Sequence, residues 1–338
     1  MSDFLVRPGY AANYLVRAAV TAPSVHNTQP WLFVEEGRDR SLEVHADATR
    51  RLVLTDPFGR EMVISCGAAL FNVRLAMRHL GFHAVVQSLP HQGDPAFLAR
   101  VGWGAYGPPT LDEELMYRAL ARRHTVRGRF RRDPVPTPLW EELREQAHAE
   151  GATLHRLDVG DDRRRLAELV RIAEGVHRTD PGHSAEHARW ARPVRRPRYD
   201  GVPVDVSGTH PDATVLAGRD YAGVMRNEPS PARRWTARTG LVAVLSTDRD
   251  ERPDWLRAGQ ALERVLLYAA AHNVMAAFHT QPLEIPRLRS RIRETVTAGG
   301  CPQMILRLGY ATSIRPLPRR PVAEVLRVGV ARADGVPR

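Results

Sequence analysis

The chain has 338 residues, 43% hydrophobic and 26% charged, an ordinary globular composition with room for one large core or two domains of about 150 residues each. No apolar run approaches the ~18 residues of a membrane-spanning helix, and the two cysteines, Cys66 and Cys301, form no CxxC pair, which argues against a disulfide framework and a cysteine-rich zinc site. The formal charge is +11 and all 49 basic residues are arginine; their planar donor forks suit a phosphorylated ligand, with nucleic acid as the rival partner.

The opening MSDFLVRPGYAANYL has neither an apolar core nor a cleavage-site pattern, so no signal peptide is expected and the cytoplasm is the expected compartment. Apolar residues at helical spacing predict a helix from about Tyr10 to Ala22, ended by Pro23 and the polar turn SVHNTQPW, Ser24 to Trp31. WLFVEE and SLEVHAD follow as strands, and DPFGRE reads as a loop broken by Pro57 and Gly59. GAALFNVRLAMRHLG is the next helix, with Leu70, Val73 and Met77 on one stripe and Gly81 at a left-handed C-cap. AVVQSLP and FLARVGWG read as strands, and Gly107-Pro108-Pro109 marks a boundary that divides the chain into residues 1–108 and 109–338.

The second part repeats parts of this order. LWEELREQAHAEG is an amphipathic helix ending at Gly151, GLVAVLST a strand, and GQALERVLLYAAAHN a helix that aligns without gaps on GAALFNVRLAMRHLG. Gly67 falls on Gly259, Leu70 on Leu262, and Asn273 takes the place of Gly81 as the residue tolerant of left-handed backbone. Arg100-Val101-Gly102-Trp103 is echoed by Arg307-Leu308-Gly309-Tyr310, which favours an internal duplication over two unrelated amphipathic helices. Residues 178–236, rich in Pro, Arg, His and Asp with weak periodicity, have no counterpart and read as a lid or binding loop.

Three stretches carry a family resemblance. TAPSVHNTQPWLF resembles the nitroreductase signature of proline-serine, asparagine and Gln-Pro-Trp after the first helix; RRHTVRGRF, Arg122 to Phe130, resembles that family's arginine motif for flavin; MILRLGYATSIRPLPRRP resembles its last core strand and basic tail. The order departs from the usual one. The first half has the Ser-Asn-Gln-Pro-Trp turn without an arginine motif, and the second half has the arginine motif, but its helix runs into EGATLHRLD without such a turn. With DPFGREMVISCGAALFN and HTQPLEIPRLRSRIR, the chain resembles the Acg subfamily of actinobacterial nitroreductase-like proteins over nearly its whole length.

The resemblance implies an α+β nitroreductase fold whose two tandem halves mimic the family homodimer, with one FMN between them and the 178–236 segment covering it. It implies that Pro23, Ser24, Asn27 and Gln29 face the flavin from one half. From the other, Arg123 and Thr125 of the Arg122-Arg123 motif would hold phosphate and ribityl tail, Arg127 would sit near N1/O2, Arg319 and Arg320 would close the phosphate, and Gln281 would lie near N5. The bland readings are surface arginines and a capping turn, with Gln29 and Trp31 purely structural and Trp31 filling the core. His26 lacks an acid or nucleophile partner at useful spacing and reads as a local variation, and Cys66, opening its helix, as a buried thiol. No side chain is expected to be catalytic and no metal is implied, since flavin N5 carries the chemistry.

Two uses are open on this reading: NAD(P)H-dependent reduction of a small nitroaromatic or quinone-like acceptor, or FMN held without turnover under the covering segment. One chain suffices as an intramolecular pseudo-dimer, with a homodimer left open. The alternative, a basic nucleic-acid-binding protein, finds no helix-turn-helix spacing, zinc ligands or aromatic-basic motif in the sequence.

Overall fold

The structure, a computed structural model, describes residues 9–37, 39–128, 130–158, 160–192, 198–203, 216, 219 and 240–329. Helix α1 (Tyr10–Ala19) buries Ala12, Leu15, Val16 and Ala19, the stripe its spacing predicts. Two 20-residue helices, α2 (Arg60–His79) and α7 (Arg252–Ala271), are buried over most of their circumference and pack on each other. A helix apolar nearly all round belongs in the middle of a molecule. They cross where both carry glycine: a Cβ on Gly67 would sit 2.3 Å from Leu256 O and 3.0 Å from Gly259 Cα.

Both helices start seven residues before their apolar periodicity does. Gly59, with φ 74°, is the N-cap of α2, and the Asp56 carboxylate accepts the Met62 N–H at 2.9 Å, so Arg60 and Glu61 of the expected DPFGRE loop are helical. Helix α7 starts in a capping box of Glu251 and Asp254. Their C-terminal ends are as the sequence predicts, with Gly81 at φ 85° and Asn273 at φ 62°. Cys66 lies in the second turn of α2 rather than at its start; its thiol is buried against Pro30 O at 3.2 Å, and burial pushes its pKa up.

The two main sheets share one strand order. β1 (Trp31–Glu36), β2 (Ser41–Ala46), β4 (Phe97–Tyr106) and β3 (Phe82–Ser88) lie side by side, as do β5 (Thr153–Leu157), β8 (Leu241–Thr247), β10 (Cys301–Tyr310) and β9 (Val274–Phe278), each neighbouring pair antiparallel. β1 follows α1 as β5 follows α4 (Thr137–Ala149), and β3 follows α2 as β9 follows α7. A tight connection joins β1 to β2, whereas residues 158–240 lie between β5 and β8. Helix α3 (Leu111–Ala119) packs against α7 and α2. The tail crosses back: after α8 (Pro286–Thr295), β10 and the short α9 (Val322–Val325), strand β11 (Leu326–Val328) pairs in parallel with β1, Phe33 opposite Leu326.

The expected irregular segment at 178–236 is helical where it begins. Helix α5 (Asp161–Thr179) runs into α6 (Pro181–Trp190), whose N-cap Asp180 accepts the N–H groups of Gly182 and His183 at 2.7 and 3.2 Å. Asp followed by Pro at the first helical position is a start signal that the polar composition of α6 obscures. β6 (Ala191–Arg192) pairs in parallel with β7 (Val202–Pro203), and residues 193–197, 204–215, 217–218 and 220–236 of the segment lie outside the described residues. No helix among the described residues is long and apolar enough to cross a membrane.

Candidate functional site

A cleft of about 960 Å³, counted to its open mouth, lies between the two sheets' helices. Pro23, Ser24, Val25 and His26 line it from the turn after α1, Glu61, Ile64 and Ser65 from α2, Thr125 to Arg127 from the loop after α3, and Ala277 to Thr280 from the end of β9. Leu262 of α7, Met304 and Arg307 of β10, and Arg219 complete the wall. Residues on both sides of the 108/109 boundary therefore face one space. Of the expected site residues, Pro23, Ser24, Thr125 and Arg127 are brought together here.

The turn itself is strained. His26, Asn27 and Gln29 have φ of 47°, 55° and 51°, the left-handed region that non-glycine residues seldom occupy, and such strain persists only where surrounding contacts over-determine it. Ser24 Oγ accepts the Gln29 N–H at 2.9 Å. Asn27 is buried away from the cleft: its Nδ2 donates to Gly201 O at 3.1 Å and Pro318 O at 3.3 Å, and its Oδ1 accepts from Arg319 at 3.1 Å. Gln29, fully buried, donates to Tyr199 O at 2.6 Å and accepts the Arg320 N–H at 2.7 Å. The Arg320 guanidinium reaches Gln29 O at 3.2 Å and Asp47 at 3.7 Å. Asn27, Gln29 and Arg320 thus tie the turn to the tail and to residues 199–201.

Behind Thr125 and Arg127 lies a buried cationic cluster. Arg123, 3% exposed, donates to Thr21 O at 2.8 Å and lies 3.5 Å from Glu263 of α7. Arg319 donates to the same Thr21 carbonyl at 3.3 Å. Burial, then the charge of Arg123, lowers the Arg319 pKa to about 9, and the same two arginines, after burial, lower His124 to about 4. The single buried carboxyl of this group, Glu263, is pushed up to about 7 by burial, against the pull of Arg123 and Arg319. The Nε groups of Arg123 and Arg319 are buried without a hydrogen-bond partner among the described residues. Two crowded guanidinium groups, each with an Nε that makes no hydrogen bond among the described residues, beside a single buried carboxyl fit a dianionic phosphate. Arg122 is exposed on the surface, and Gln281, fully buried, donates to Glu174 at 3.4 Å rather than lining the cleft.

Three cleft residues escape sequence reasoning. Arg307, 1% exposed, donates from Nε to His279 Nε2 at 2.7 Å and stacks over Phe130 at 5.2 Å, so His279 carries its own proton on Nδ1. An arginine inside the otherwise apolar run MILRLGY is the signal that marks it. Glu61 lines the cleft from the first turn of α2, 4% exposed and paired with Arg60 at 2.9 Å. Arg219, from the 178–236 segment, pairs with both carboxylate oxygens of Glu284 and reaches Thr280 Oγ1 at 3.2 Å. His26 is more than a local variation: it is buried in the cleft wall and meets His187 of α6 edge-to-face at 4.8 Å, with its pKa well below the usual value because of burial and then the charge of Arg219.

No protein-family model matches the sequence. The chain is 34% identical over 316 residues to "Putative NAD(P)H nitroreductase Rv3131" of Mycobacterium tuberculosis H37Rv, covering 91% of this chain and 88% of that protein. It is 31% identical over 321 residues to "Putative NAD(P)H nitroreductase acg" of the same strain, covering 93% and 94%. The FMN-dependent nitroreductase NfnB of Mycobacterium smegmatis, solved with NADPH, overlays at 19% identity and a TM-score of 0.41 on 64% of this chain and 99% of that one, a partial overlay that adds nothing to the sequence relatives. Identity above 30% across nine-tenths of the sequence is decisive, and the chain belongs to the nitroreductase family, in the group that includes Acg.

Proposed function

We propose that the cleft holds one FMN between two halves that descend from an internal duplication. The observation that carries this reading is the meeting of Ser24 with Thr125 and Arg127 in one cleft, with the Arg123–Arg319 cluster behind them. The shared strand order of the two sheets and the parallel return of β11 to β1 support the duplication and the exchange of tails between halves. Thr125 and Arg127 hold the polar edge of the flavin, Arg123 and Arg319 its phosphate, and Ser24 the other side; Arg320, Asn27, Gln29 and Gln281 keep those groups in place. Bound FMN supplies hydride exchange between NAD(P)H and an electron-poor acceptor such as a nitroaromatic or quinone.

The described residues of the segment at 178–236 govern access to the cleft. Arg219 lines the cleft, Gly201 N–H donates to Asn27 O at 3.2 Å, and Asp200 pairs with Arg50 at 2.8 Å. Those contacts favour FMN held under a cover, with exchange of nicotinamide and acceptor slow until the cover moves. The test is the visible spectrum of the purified protein, then its change on adding NADPH. Oxidised-flavin absorbance that bleaches slowly is expected, and Asn27→Ala with Arg127→Ala should leave a folded, colourless protein. A wild-type protein that stays colourless after incubation with FMN overturns the flavin site, and rapid multiple turnover with a quinone overturns the covered state. Steep salt-dependent binding of DNA by colourless protein would instead favour the nucleic-acid alternative.

A further inference from the structure

Two buried carboxyl groups stand between the FMN cleft and a second cleft on the outer surface. Glu61, on the first turn of α2, faces the inner one. Glu284, at the end of the short helical turn Gln281–Glu284, lines the outer one together with Arg60, Asp56, Trp255 and Arg289. Each is paired with one arginine. Arg60 bonds Glu61 at 2.9 Å but also donates to Gln303 O at 2.8 Å, and Glu284 is held by Arg219, which belongs to the covering segment. Nothing in flavin binding requires a carboxyl at Glu61, since an anion there opposes the phosphate and the negative charge that grows on a reduced ring.

We propose that Glu61 is a proton donor to the reduced acceptor in the cleft, reloaded from solvent in the outer cleft through Glu284. The proposal rests on the reading of the cleft as a flavin site. In this step a quinone that has accepted a hydride, ultimately from NAD(P)H, is a hydroquinone monoanion. The Glu61 O–H bond breaks, a phenol O–H bond forms, and the electron pair of the broken bond stays on Glu61 as carboxylate. The Glu284 carboxylate then takes up a proton from solvent and passes it to the Glu61 carboxylate, so hydride plus proton yields neutral hydroquinone. Burial first, and then the neighbouring charge of Glu284, hold the Glu61 pKa well above the carboxylate range, so the group carries its proton at neutral pH. A carboxyl kept neutral by its surroundings is the state a general acid needs.

The test uses full-length protein and the variants Glu61→Gln, Glu61→Asp and Glu284→Gln. Infrared spectra without added cofactor should show, at pH 7, a deuterium-sensitive C=O stretch of a protonated carboxyl that Glu61→Gln lacks. Protein loaded with FMN, reduced with dithionite and mixed with a quinone should reoxidise about 100-fold more slowly in Glu61→Gln, with partial recovery in Glu61→Asp. The wild-type rate should fall as pH rises past neutrality, a limb missing in Glu61→Gln, and Glu284→Gln should slow repeated turnover more than the first. Absence of that band from the wild-type protein overturns the proposal whatever the variants do. A quinone rate unchanged in Glu61→Gln overturns it while leaving the flavin site intact, whereas wild-type protein that takes up no FMN overturns the flavin site itself.

Discussion

Gly67 and Gly259 face each other where α2 and α7 cross, each occupying the position that the internal sequence repeat assigns to the other. A Cβ added to Gly259 would lie 2.0 Å from Ile64 O, 2.8 Å from Gly67 Cα and 2.9 Å from Ala68 N, all backbone atoms that can move only if the helices part. The expected result is that Gly259→Ala costs about 3 kcal/mol or more, at or beyond the upper end of ordinary overpacking. Gly175, half-buried in α5 with nothing within 4 Å of its added Cβ, is the control: Gly175→Ala should stabilise by about 0.5–1 kcal/mol. Urea midpoints of the two variants measure both signs, and a Gly259→Ala midpoint equal to wild type would show that the helices pack less closely than this.

The sequence made the repeat legible, though not the crossing, because a buried helix repeats its apolar pattern and its glycine in both halves. Strands β1 to β4 and β8 and the left-handed residues Gly81 and Asn273 are legible for the same local reason, whereas β5, β9 and β11 are not read from the sequence. Helix starts are not, since the first turns of α2 and α7 are polar and are fixed by caps at Gly59 and Glu251 instead of by periodicity. Arg307 depends on a distant partner at His279, and Arg219 on Glu284 and Thr280, which no local pattern reveals. Conversely, Asn27 and Gln29 stand out in the sequence as polar groups of the turn, yet their hydrogen bonds run to backbone and tail.

On the proposed FMN reading, Arg319 separates the phosphate from the rest of the ligand. It belongs to the cluster whose unmet donors fit a dianion, and a hydrogen bond to a charged partner is worth about 1.5–3 kcal/mol. Arg319→Gln should therefore weaken FMN about 10- to 100-fold and leave the affinity for riboflavin, which lacks the phosphate, within about twofold. Fluorescence quenching titrations of the two ligands check this. Equal losses for both would assign Arg319 to holding the turn alone.

Asn27 combines a strained backbone with three side-chain contacts, to Gly201 O, Pro318 O and Arg319. Asn27→Ala loses those contacts and keeps φ near 55° with a residue that tolerates it less, an expected cost of about 2–4 kcal/mol. Asn27→Gly loses the same contacts without the strain, so the difference between the two variants should be about 1–2 kcal/mol. Both should also admit protease faster near residues 199–201, which the turn anchors. Measured cleavage rates equal to wild type would show that the Gln29–Tyr199 bond suffices to hold that segment.

Acid should loosen the layer that α5 and α6 lay on the turn. His26, His177 and His187 all have lowered pKa values, His26 well below its usual value and His177 and His187 to about 3, in each case through burial first and the charge of Arg219 next. The groups facing them are His183, stacked on His177 at 4.9 Å, Asp180, Arg127, and Glu284, 3.6 Å from His177. Asp180 pulls the other way but is too exposed to hold a proton on the pair, and Glu284 is already taken by Arg219, so the His177 ring is neutral. A histidine whose folded pKa is depressed contributes stability that is present above the unfolded value of about 6.5 and is lost as pH falls toward the folded one. At pH 5 each deeply buried ring should cost up to about 2 kcal/mol, enough to release the hairpin before the core, whose glycine crossing carries no titrating group. Hydrogen exchange by mass spectrometry should show residues 161–190 losing protection between pH 7 and pH 5 while α2 and α7 keep theirs. His187→Phe retains a ring against His26 and removes one of the titrating groups, so the pH dependence should become shallower by close to one proton. A slope unchanged in that variant would place the acid sensitivity elsewhere than in this histidine layer.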